Sequence, residues 1–239
     1  MAMAAIMWML LAAGGAPDAF SPEGRALIAA VQASLDEVRA QHAQSPPPQD
    51  DAERLVRLGE LDQAPRRVVT SFDFSTIPSV EREAVLRAAV APMEATDEAN
   101  QAELLKLLPA EGWFLRSRYG EKASRAAFHI VQHAGPDLQR RFLPVLEGLV
   151  RVGEVDGQSF GMMFDRVAIS EGRPQRYGSQ FRCDGGKWRP YPLEEPARVE
   201  ALRAEIGFGW SFAENKARME AAPPCPQTRS PPPPEMKMD

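Results

Sequence analysis

Two histidines stand four residues apart in Phe128-His129-Ile130-Val131-Gln132-His133-Ala134. On a helix both imidazoles lie on one face. His133 ends that helix, just before Gly135-Pro136, where the dipole and any nearby carboxylate favour imidazolium. It therefore suits general acid/base chemistry or a hydrogen bond to a ligand. A structural histidine capping the helix is the competing reading. Asp165-Arg166 follows the apolar run Phe160 to Phe164, so the Asp165 carboxylate starts at a buried edge and needs a partner. Helical neighbours point about 100° apart. Asp165 can thus orient His133 while Arg166 binds an anionic group. Alternatively, Asp165 forms a structural ion pair with Arg176 or Arg203. Gln175-Arg176-Tyr177-Gly178-Ser179-Gln180 reads as a strand. There Gln175 and Tyr177 share a face, and a bulge at Gly178 brings Gln180 round. Such amides suit a polar, uncharged ligand, or else they satisfy backbone groups of neighbouring loops. Gln132 and Trp113, in Gly112-Trp113, complete the candidate ligand-binding set.

Other chemistries find less support. His129, His133 and Asp165 have the types of a two-histidine, one-carboxylate metal site. The adjacent glutamate of a zinc-hydrolase helix is missing, and no metal is expected. There is no G-x-S-x-G nucleophile elbow, phosphate-binding Gly-rich loop or dinucleotide fingerprint, and no cofactor is expected. With 28 Lys+Arg against 33 Asp+Glu, the net charge is −5; the charge balance excludes general nucleic-acid binding. Two cysteines, Cys183 and Cys225, are too few for a disulfide framework.

The elements that must position these residues are mostly helical. Ser21-Pro22-Glu23 caps a helix that runs through Leu27, Val31 and Leu35 to about Gln41. Asp50 or Asp51 starts a second helix, predicted to stop before Pro65, with Val68 to Ile77 extended or irregular. A third begins at Ser79 and breaks or kinks at Pro92, and Thr96 or Asp97 caps the next. Further helices follow at Gly120 to Ala134, from Pro136 with a kink at Pro144, and at Ser159 to Val167. Around Asp184-Gly185-Gly186, alternating residues give a β-hairpin. Pro196 opens a last helix ended by Gly207. The fold class is mainly α (α+β), a helical domain with one small antiparallel hairpin.

Ten of the 22 prolines fall in Pro46-Pro47-Pro48 and in the tail AAPPCPQTRSPPPPEMKMD, which has too little to bury to fold. Cys225 there reads as an exposed free thiol. The apolar run Ala4 to Ala13 is about half a bilayer span, so no integral membrane span is expected. It has the length of a secretory h-region, and small residues follow it. The expected organisation is an apolar or signal segment at 1–16, an N-terminal helix and Pro-rich linker at 17–49, one helix-rich domain at 50–215 and a disordered tail at 216–239. Export, to the periplasm for instance, is the favoured location, with the cytoplasm as the alternative.

The motifs Gly112-Trp113, Gln132-His133-Ala134, Asp165-Arg166 and Gln175 to Gln180 resemble a bacterial family known as a domain of unknown function. Leu61-Asp62-Gln63 with Arg66 looks like its D-Q-x-x-R element, and Pro196 to Gly207 like its closing helix. The resemblance spans Ala52 to Phe212. It departs at Phe114, where the family often has proline, and His129 is outside its pattern. It implies no activity. Two functions stay open. In one, a pocket takes an unknown polar small molecule, with His133 and Asp165 as an acid/base pair and Arg166, Gln175, Tyr177, Gln180, Gln132 and Trp113 binding it. In the other, a non-enzymatic module uses the same residues as a buried network and meets a protein partner through its N-terminal helix or Pro-rich tail.

Overall fold

The computed structural model describes residues 20–222. The apolar run at 4–13, the small residues after it, and all of the Pro-rich tail from residue 223, Cys225 included, lie outside the described residues. The expected fold class holds: the described residues are mainly helical, with one antiparallel hairpin. None of their helices is long and apolar enough to cross a membrane.

The chain divides into two compact units. One takes the described part of residues 1–47 together with 60–96, and the other takes 48–59 with the described part of 97–239. The N-terminal helix is therefore grouped with residues 60–96.

In the first unit, α1 (Pro22–Gln44) begins where Ser21 accepts the Gly24 N–H at 3.1 Å, leaving Pro22 at a position that needs no donor. Leu27 and Val31 recur on its buried face. They pack with Ile77, Val85, Ala89 and Met93. A Cβ on Gly24 would stand 2.8 Å from Val85, so glycine permits the close approach of α1 to α3 (Arg82–Leu107).

Two proline breaks do not occur. Helix α2 (Asp51–Ser71) continues through Pro65, and α3 through Pro92. Each proline removes one backbone hydrogen bond, at a cost of about 3 kcal/mol. Packing on both sides of each proline holds the helices: buried Leu55 and Ala64 before Pro65 and half-buried Val68 and Val69 after it in α2, and buried Val85 and Ala89 before Pro92 and Leu104 after it in α3. Val68 and Val69 are accordingly helical, and a short 3-10 turn at Phe74–Thr76 follows.

The second unit holds α4 (Arg116–Tyr119), α5 (Glu121–Gln132), α6 (Pro136–Arg151), α7 (Gly157–Ser170), α8 (Val199–Glu205) and α9 (Phe212–Ala221). Pro144 lies inside α6 without ending it. The core joins Leu55 and Leu104 to Trp113, Phe128, Ile130, Phe142, Leu146, Phe160 and Met163. Strands β1 (Phe181–Asp184) and β2 (Lys187–Pro190) pair with Cys183 opposite Trp188, across the Gly185-Gly186 turn. Cys183 is disulfide-bonded. The short α4 and the 3-10 turn at Phe74–Thr76 had no counterpart in the sequence reading, nor had α9, which extends past residue 215 to Ala221.

Candidate functional site

Asp165 lies on the inner face of α7, fully buried. One oxygen accepts the backbone N–H of Arg176 at 2.8 Å and of Tyr177 at 2.9 Å, and the other accepts that of Ser179 at 2.8 Å. Burial pushes its pKa above the usual carboxylate value, and these donors oppose that shift. Among the described residues its hydrogen bonds all run to this loop. Neither Arg176 nor Arg203 forms an ion pair with it. The Arg176 guanidinium instead pairs with Glu194 at 3.0 Å and Glu147 at 3.3 Å, and lies over the Phe164 ring.

Residues 175–180 do not form the expected strand. They fold back on themselves, and only an isolated bridge ties Gln175 to Leu193. Gly178 adopts φ +67°, and a Cβ there would stand 2.5 Å from the Phe212 ring. The turn needs glycine on both counts. Gln175 is completely buried. Its amide nitrogen donates to the carbonyls of Gln180 at 3.1 Å and Tyr191 at 2.9 Å, and its amide oxygen accepts the Gln180 N–H at 2.8 Å. Gln180 donates to the Ser179 hydroxyl at 3.0 Å. The Tyr177 ring packs edge-on against Phe160 and Phe164.

Arg203, also buried, closes the loop from the other side. It donates to the carbonyl of Tyr177 at 2.5 Å and of Trp210 at 2.8 Å, with its guanidinium 3.7 Å from the Phe208 ring centre. Burial lowers its pKa, and one of its terminal nitrogens has no hydrogen-bond partner. Asp165, Gln175 and Arg203 thus share one task, which is to satisfy the backbone of an irregular turn that has no sheet to pair with.

The end of α5 gathers a second group. His133 caps that helix through its N–H to the His129 carbonyl at 2.9 Å, and the two imidazole rings lie 6.1 Å apart. Gln139, buried in α6, donates to the carbonyls of Gln132 at 2.8 Å and Ala134 at 2.9 Å. Sequence reasoning missed Gln139, since nothing distinguishes it from the polar residues on the exposed face of α6. Arg166, one residue on from Asp165, points the other way and meets the Gln132 carbonyl at only 3.4 Å. It is half-buried, and desolvation lowers its pKa. It forms no ion pair among the described residues. His133, Gln132 and Arg166 are thereby brought to one helix end, while Asp165, Gln175, Tyr177 and Gln180 share the loop.

Trp113 stands apart from both groups. It is fully buried, edge-on to Phe142 at 5.3 Å. Its indole N–H has no hydrogen-bond partner, a deficit of roughly 1–3 kcal/mol. The Asp62 carboxylate on α2 is buried as well, with Arg66 at 3.1 Å and Gln63 at 2.6 Å. No group of three or more His, Cys, Asp or Glu among the described residues is placed to hold a metal.

A family model matches residues 49–221. The chain belongs to a family of unknown function, DUF6624. The matched span contains every motif residue named above and leaves out α1. No curated protein and no solved structure matches this DUF6624 chain.

Proposed function

We propose that this DUF6624 protein binds a small polar molecule bearing an anionic group at the end of α5. Arg166 takes the charge, and His133 and Gln132 contact the remainder. The observation that carries this reading is Arg166 itself. It is a half-buried, desolvated guanidinium whose one hydrogen bond among the described residues, at 3.4 Å, goes to a carbonyl already occupied by Gln139. Desolvating a cation without a counter-ion is unfavourable, and a bound anion removes that penalty. His133 beside it can donate to the ligand or move a proton. Asp165, Gln175, Tyr177 and Gln180 support the site from behind by holding the loop that packs on α7. Thermal shift with inorganic phosphate, sulfate and small carboxylates tests the reading. At least one should raise the melting temperature of the wild type but not of Arg166→Met. No shift with any of them counts against it.

A second reading, a non-enzymatic module knit together by these polar residues, draws on the Asp165 network, whose carboxylate oxygens are both engaged by backbone donors. The two separate on His133→Ala: loss of ligand response with the fold intact favours the first.

Export is likewise proposed. The apolar run Ala4 to Ala13 supports it, and so does disulfide-bonded Cys183, because such bonds persist in oxidising compartments. Maleimide labelling of the denatured protein, as isolated from its native host, should modify Cys183 only after reduction.

A further inference from the structure

We infer that a cleft beside Trp113 is a second binding site, for a small carboxylic acid with a short apolar body. The cleft has a volume of about 290 Å³, at the small end of ligand pockets. One face of α5 lines it through Glu121, Ser124, Arg125 and Phe128, at helical spacing from the first turn, and Glu154 to Asp156 face them ahead of α7. Trp113 and Arg116 complete the wall.

The acids that line the cleft are already engaged. Glu154 is held below its usual pKa first by the Ser117 hydroxyl, then by the Ser117 N–H at 2.9 Å, with smaller help from Arg116. Asp156 caps α7 by accepting the Ser159 N–H at 2.7 Å. Glu121 faces Arg125 at 3.6 Å. Donors are what remain over. The Trp113 indole N–H is buried and without a partner. The Arg116 guanidinium forms no ion pair among the described residues. The first turn of α5 has no side-chain cap, so its amides add a favourable field for an anion. An indole N–H and a guanidinium are donors only, so the ligand must bring acceptors. A carboxylate supplies two, one for each, while its apolar body packs on Phe128 and Val155. This site shares no residue with the one at the end of α5.

The test is a titration of the full chain with propionate and benzoate, read on the Trp113 indole N–H resonance, which is assigned by its loss in Trp113→Phe. A saturable shift with either acid, absent with propanol and benzyl alcohol, is the expected result. Arg116→Ala, at an exposed position, should weaken it at least fivefold, and Arg166→Met should leave it unchanged. No saturable shift overturns the inference. So does equal binding by Arg116→Ala, or equal response to the alcohols. A loss in Arg166→Met as well would mean that the acids act at the α5 end instead, which also overturns it.

Discussion

One carboxylate oxygen of Asp165, in the middle of α7, accepts the backbone N–H of Tyr177 at 2.9 Å, and neither group touches solvent. The motif aspartate and the motif tyrosine are therefore joined through the backbone of the tyrosine, not through its hydroxyl. The consequence is measurable. Asp165→Ala strands the N–H groups of Arg176, Tyr177 and Ser179 together, and should cost about 3 kcal/mol or more. His133→Ala, at a half-buried helix cap, should cost less than half of that. Urea denaturation of the two variants gives the ordering, and a reversed order would contradict the assigned roles.

Gly178 and Phe212 form a second checkable pair. Gly178→Ala meets both a left-handed backbone and a ring 2.5 Å from the new methyl group. The expected loss is about 2–3 kcal/mol. In a Phe212→Ala background the backbone strain and a milder contact with Leu193 at 3.3 Å remain, so the same substitution should cost roughly 1–2 kcal/mol. A double-mutant cycle reads the difference. Additive losses would mean that α9 does not pack on this turn.

Arg166→Met tests whether the guanidinium is held for a ligand or for the fold. It replaces a desolvated cation with one long hydrogen bond by an apolar chain of similar length. Stability without ligand should change by less than about 1 kcal/mol. A loss above about 2 kcal/mol would make Arg166 a structural cap of α5.

Glu171, at the end of α7, has its pKa lowered by Arg140, at 2.6 Å, and by Arg173. A lowered folded-state pKa means that the unfolded chain binds the proton first as pH falls. The contribution to stability is present above the ordinary value of 4.5 and lost as pH drops through the folded value. Glu171→Gln should therefore lower stability at pH 7, and its difference from the wild type should shrink as pH falls below about 4.5, leaving a flatter acid limb. Thermal melts from pH 3 to 7 measure it.

Reading helices from periodicity worked where one face of the segment is buried, as with Leu27 and Val31 in α1 or Phe142 and Leu146 in α6. It failed at Pro65 and Pro92, because a proline's local penalty is visible in sequence and the packing that outweighs it is not. It also failed at Gln175 to Gln180, where alternating residue types imitate a strand. There Gly178, Gln175 and a carboxylate from α7 impose a turn instead, and that donor-acceptor match links residues more than ten positions apart.

What the sequence alone determined about this protein is its class and its cast: a mainly helical chain, a hairpin at Gly185-Gly186, and the polar residues worth following. Local propensity and hydrophobic spacing suffice for that, because both act within a few residues. Which of those polar side chains are consumed by the backbone, and which are left with hydrogen-bonding capacity to spare, was decided only by tertiary structure. Asp165 and Arg166 are neighbours of equal promise in sequence. The rotation between them on α7 sends one into a loop whose backbone donors it satisfies and the other to the end of α5, where no ion pair among the described residues matches its charge.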